Sequence, residues 1–202
     1  MGLSILDRMR SVARWVRDHK YLSVTIVFLT IIIVVDDNEE VIGYYQTFPM
    51  EPEFESRYIR GETDFKELDG TKVMAPGSEK INLYLWSIGI KEEYRGVKFL
   101  HPDDPTRVIT VNGLLHEGLV DALADVIAGG TQIDMVYGEG VSEKGVKEVI
   151  AFCGEDSLIH ANEEEEFYLY GAKFNPHCKA LSRCQNIGKL VELEDYDDYE
   201  LE

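Results

Sequence analysis

The feature that most constrains this chain is "YLSVTIVFLTIIIVV", residues 21–35, fifteen residues without a formal charge. Either it crosses a membrane or it is buried in a protein core. Ten of the fifteen are β-branched, including the unbroken series from Thr30 to Val35. In water such residues favour a buried strand, but one strand of that length is far longer than usual. No Gly or Pro interrupts the run to split it into two strands. In lipid a lone span must satisfy its own backbone, which makes it a helix. A helix of this length reaches about 22 Å, short of the roughly 30 Å hydrocarbon core. Lys20 can snorkel and Trp15 sits where an interfacial aromatic belongs.

Charge supports the membrane reading. Residues 1–20 carry five basic and two acidic side chains, whereas residues 36–202 carry 15 and 36. The positive-inside rule places the N-terminus in the cytoplasm and the acidic body outside it. A cleaved signal is disfavoured, because "IIIVVDD" lacks small residues after the apolar core. The sequence thus predicts a single-pass signal-anchor protein. Its divisions are a basic juxtamembrane segment at 1–20, a transmembrane helix at 21–35 and a linker at 36–60. A globular mixed domain at 61–193 and an acidic tail at 194–202 complete it. The alternative leaves residues 21–35 as the core of a soluble cytosolic α/β protein.

The stretch also resembles the anchor of bacterial septum-formation initiator proteins, in a basic residue beside Tyr21 and an acidic exit at Asp36, Asp37 and Asn38. The resemblance covers about a tenth of the chain and departs directly afterwards. Gly43, Pro49 and Pro52 interrupt the coiled coil that the family places there, so no family is identified.

Beyond residue 60 the pattern is α/β or α+β. Strands are expected at "INLYLWSIGI" (81–90), "GVKFL", "TRVITV", "TQIDMVYG", near 166–174, and at "IGKLVEL" (187–193). Leu115, Leu119, Leu123 and Ile127 mark one helix, closed by Gly129 and Gly130. A second helix runs from Ser142, its N-cap, to Gly154. In 81–90, Ile81, Leu83, Leu85 and Ser87 share one face and Asn82, Tyr84, Trp86 and Ile88 the other, so neither face is purely apolar.

No motif specifies a reaction. "YGEGVSEKG" places Gly138, Gly140, Gly145 and Lys144 between a strand and a helix, where phosphate can bind. It lacks the P-loop and dinucleotide patterns, and Glu139 and Glu143 would repel an anion. His116, His160 and Cys153 are the candidates for nucleophilic or acid–base chemistry, although their spacing does not require it. Cys178 and Cys184 are close enough in sequence for a disulfide in an oxidising compartment. His177 with those two cysteines does not match common zinc spacings, and no metal or cofactor is called for. The net charge of -18 argues against nucleic acid. Trp86, Tyr168 and Tyr170, set in an acidic field, suit a cationic protein partner. The expectation is therefore a membrane-anchored extracytoplasmic binding or adaptor component of an envelope assembly, not an enzyme. An anchored hydrolase is the catalytic alternative.

Overall fold

The computed structural model describes residues 21–26, 29–63, 79–162 and 167–197. Strands β1 (Tyr21–Ile26), β2 (Leu29–Val35), β3 (Val41–Pro49), β4 (Lys80–Ile90), β7 (Gln132–Gly140), β8 (Leu158–Asn162) and β9 (Phe167–Lys173) form one seven-stranded sheet. Its order is β1-β2-β3-β4-β7-β9-β8. Among the described strands β4 and β7 run parallel and the other neighbouring pairs are antiparallel. Strands β5 (Lys98–Leu100) and β6 (Val108–Thr110) make a separate hairpin ahead of α2. Among the described residues the helices are α1 (Pro52–Ile59), α2 (Val111–Ala128), α3 (Glu143–Cys153) and α4 (Gly188–Asp197). The domain is a small mixed α/β fold.

The apolar run is not a transmembrane helix. It is a hairpin, β1 paired antiparallel with β2 from Tyr21↔Val34 to Ile26↔Leu29. The β-branched side chains follow their strand preference because a partner is present on either side of β2, which the lone-span argument left out. Ile32 is fully buried and Val34 nearly so. Helix α2 lies across β2 at Gly118, where an added Cβ would stand 2.6 Å from Ile32 Cγ2. Among the described residues no helix is long and apolar enough to cross a membrane. The anchor, the single-pass topology and the membrane contact through 21–35 are corrected accordingly. Ile32 and Val34 of the run are core, as the alternative reading held for it. The basic segment 1–20 and the tail from 198 lie outside the described residues.

Two further expectations change. Residues 36–60 are not an exit linker, since β3 occupies the sheet between β2 and β4 and α1 follows it. Pro52 stands in the first turn of α1, where a missing N–H costs no bond, and Glu51 caps the N–H groups of Glu53 and Phe54. The segment 187–193 is not a strand. A 3-10 turn at Gln185–Ile187 runs into α4, and Leu190 is buried in the core that α2 shares. A short apolar run does not separate helix from strand by itself.

The sheet carries a core on each face. Ile32, Leu83, Leu85, Val136, Leu115, Leu119, Phe152 and Leu190 belong to the larger one, beneath α2, α3 and α4. Phe48, Met50, Phe54, Tyr58, Tyr84, Tyr137 and Leu169 form the other, beneath α1. Asn82 links them. Its Nδ2 donates to both oxygens of the buried Glu55 on α1, and its Oδ1 accepts from the Met135 amide on β7.

Because Ile32 sits at the α2–β2 contact, Ile32→Ala should lower unfolding stability by about 2–5 kcal/mol in urea denaturation. An unchanged midpoint would contradict a core position for the run.

Candidate functional site

Strand β4 contains one residue too many for its partner. Gln46 pairs with Ser87 and Thr47 with Leu85, so Trp86 is the extra residue of a bulge against β3. A bulge bends its strand and increases its twist. The effect shows on the other edge of β4. Pairing with β7 stops at Leu85↔Gly138, immediately before the bulge, although β4 continues along β3 to Ile90 and β7 continues along β9 to Gly140. The parallel pair β4–β7 therefore splays at its C-terminal end, the end at which α/β sheets bind ligands.

The splay is a cleft of about 630 Å³, bounded by Tyr45, Trp86 through Ile90, Arg95, Asn112, Glu139 and the first turns of α3. On the α2 and α3 side stand two helix N-termini. Thr110 caps α2 at Gly113, and Ser142 caps α3 at Gly145. Gly140 lets α3 start close against β7, since a Cβ there would meet Val146 backbone at 2.8 Å. Arg95 is anchored by its Nε to the Ile90 carbonyl at 3.1 Å, and Lys144 also lines the cleft. On the opposite side stands Trp86, half-exposed and edge-to-face against Phe48 of the α1 core.

Glu139 is the unusual group. It neighbours Gly138, which faces Val149 of α3, so strand alternation turns Glu139 toward the α1 side with Tyr137. Its Oε1 is buried and has no hydrogen-bond partner. Burial pushes its pKa from 4.5 up to about 7. A buried carboxyl titrating near neutrality in a cleft has the properties of a general base.

The residues anticipated for chemistry do not assemble. His116 lies within α2, packed on Tyr45 and Phe152, and its Nε2 is 2.5 Å from Glu148 Oε1. His160 is on β8 at the far edge of the sheet. The Cys153 thiol contacts the Val136 carbonyl at 3.6 Å, and burial raises its pKa to about 12, which removes thiolate character. Cys178 and Cys184 stand as free thiols. Tyr170 is buried in the sheet and Tyr168 is half-buried on β9, so neither offers a docking face for a cationic partner. Of the binding candidates only Trp86 reaches the site. Among the described residues no three His, Cys, Asp or Glu side chains stand together to hold a metal.

Glu139, Arg95 and Ser87 were not anticipated. The sequence presents Glu139, like Glu143, as a charge that would repel an anion. The strand turns it toward the α1 side, and burial raises its pKa so that part of its charge is lost near neutrality.

No protein-family model matches the sequence, and no curated protein resembles it significantly. Two solved structures are similar in outline. One is described as histone acetyltransferase HPA2 and related acetyltransferase from Corynebacterium glutamicum. It is 11% identical, with 87% of this chain and 80% of that one covered and a TM-score of 0.35. The other is AtaT complexed with acetyl-methionyl-tRNAfMet, 15% identical, with 84% and 82% covered and a TM-score of 0.33. Likeness at this level assigns neither a fold family nor an activity. The expectation against an enzyme is nonetheless corrected. It rested on the lack of a plausible site, and the splayed strands with Glu139 supply one.

Glu139 also sets a pH dependence of stability. Its folded pKa lies above its ordinary value, so the folded state is favoured below about pH 4.5 and loses that advantage as pH rises through about 7. The difference corresponds to at most about 3 kcal/mol. Glu139→Gln should therefore be more stable than the parent at pH 8 and indistinguishable from it at pH 4, by urea denaturation. Equal effects at the two pH values would contradict a displaced pKa.

Proposed function

We propose that the chain is an acyltransferase that moves an acyl group from a thioester donor to an amine. The observation that carries this reading is the cleft opened by the Trp86 bulge, with a carboxyl of near-neutral pKa on one side and two helix N-termini on the other.

The cleft suits an extended donor. Among the described residues the Ser87–Ile90 stretch has no strand partner on its β7 side, and a carrier containing amides can pair with that edge as an added strand. The phosphate end of such a carrier suits the N-termini of α2 and α3, with Arg95 and Lys144 beside them. The acyl end then lies between the strands. The acceptor enters from the α1 side, past Trp86. Its amine nitrogen attacks the thioester carbonyl carbon while Glu139 takes a proton from that nitrogen. The carbon–sulfur bond breaks as the amide forms. The departing sulfur takes up a proton, and the one held by Glu139 returns to solvent. Atoms and charge balance as amine plus thioester giving amide plus thiol, and no redox partner is required.

Thiol release from acetyl-coenzyme A, followed across a panel of small amines, polyamines and lysine peptides, tests this directly. Amine-dependent release is expected, with a rate that rises with pH through about 7 and then levels, because the base form of Glu139 accumulates there. Glu139→Gln should lower kcat by about 10²–10⁴-fold and leave the donor KM nearly unchanged. Release that is absent with every amine, or unaffected by Glu139→Gln, would overturn the reading.

A further inference from the structure

A second cavity, of about 490 Å³, lies between the β5–β6 hairpin, the first turns of α2, and the segment that follows β9. Four cationic side chains line it: Lys98 from β5, Arg107 beside β6, and Lys179 and Arg183 from the segment ahead of α4. This is a concentration of positive charge in a chain whose net charge is -18.

The carboxylates nearby are already committed. Glu117 is buried and receives Arg107 Nη2 at 2.6 Å and His101 Nε2 at 2.8 Å. The His101 Nδ1 accepts the Asp103 amide, which leaves Nε2 to donate to Glu117. Burial alone would raise the Glu117 pKa, yet its bonds to Arg107 and His101 hold it below the ordinary value. It therefore stays ionised as the fixed counter-charge of Arg107. The other carboxylate in the lining, Glu148, is held by His116. Among the described residues no ion pair involves Lys98, Lys179 or Arg183. In a chain with 38 acidic residues and 20 basic ones, three exposed cations line one cavity whose two carboxylates, Glu117 and Glu148, are bonded to other groups.

We propose that this cavity is a binding site for a small phosphate-bearing anion, held by Lys98, Lys179 and Arg183. Arg107, pinned by Glu117 and by Gln185, forms its fixed wall. Three cations from two separate chain segments converge on one pocket, as a multivalent anion requires. Asn112 and Glu148 line both this cavity and the cleft, so the two open side by side. The phosphate therefore has two possible sources, a phosphate carried by the acyl donor itself or a free phosphorylated metabolite. The site stands on its own charges and does not depend on the acyltransferase reading.

The test is isothermal titration of the full chain with inorganic pyrophosphate, at low and at moderate salt, with and without saturating acetyl-coenzyme A. The comparison protein carries Lys98→Gln, Lys179→Gln and Arg183→Gln, three surface changes that leave the His101–Glu117–Arg107 cluster intact. Saturable 1:1 binding is expected, weakened by added salt and at least about tenfold weaker in the triple variant at an unchanged melting temperature. If acetyl-coenzyme A competes with pyrophosphate, the source is the donor; if both bind together, it is a separate metabolite. Either result supports the site. No saturable binding to the parent, or equal binding to the triple variant, overturns it. Failure here with intact thiol release would leave the acyltransferase reading standing.

Discussion

The extra residue in β4 is the constraint on which the rest of the site depends. Where Trp86 is the extra residue opposite β3, the strand turns away from β7, and a parallel pairing that runs from Asn82 to Leu85 becomes an open cleft. Two hydrophobic cores, one on each face, hold the strands firmly below the bulge. Asn82 adds a polar clamp between α1, β4 and β7 at the closed end. The opening is thus a fixed element of the sheet. It brings the backbone edge of β4, two helix N-termini and one buried carboxyl to the same place without any of them being adjacent in sequence.

The bulge was present in the sequence as a slip of phase. Leu83 and Leu85 belong to the larger core, and so do Ile88 and Ile90, which pack against it from the edge. Two apolar pairs at spacing two, offset from each other by three, mark one inserted residue between them. Read as strict alternation, the same stretch gives two mixed faces. The helices were more legible. The caps at Ser142 and Gly154 and the four-residue leucine spacing of α2 bound their elements closely.

The fifteen-residue apolar run misled because its two physical signals disagree. Its length and lack of Gly or Pro suit one helix, while its β-branched content suits strands. The second signal governs, because β3 is available to pair with β2 and α2 to cover it. That β3 was itself hidden in "VIGYYQTFP", where Gly43 and Pro49 suggest a linker. Pro49 ends the strand, and Gly43 accommodates Val111 of α2. The active-site candidates failed for a related reason. Histidines and cysteines attract notice by residue type, but Cys153 is disabled by burial and His116 is already bonded. Glu139 is activated by burial, which no local pattern reveals.

A carboxyl half-neutral at physiological pH is the claim that joins the fold to the chemistry, and it can be measured without substrate. The most direct experiment is a pH titration of side-chain carboxyl resonances by NMR, with glutamate labelled with carbon-13, using Glu139→Gln to assign the signal. The structure predicts one glutamate that titrates near pH 7 and vanishes in the variant. A Glu139 resonance that titrates near 4.5 would show a solvated, charged side chain, and would contradict both the buried cleft carboxyl and its role as a base.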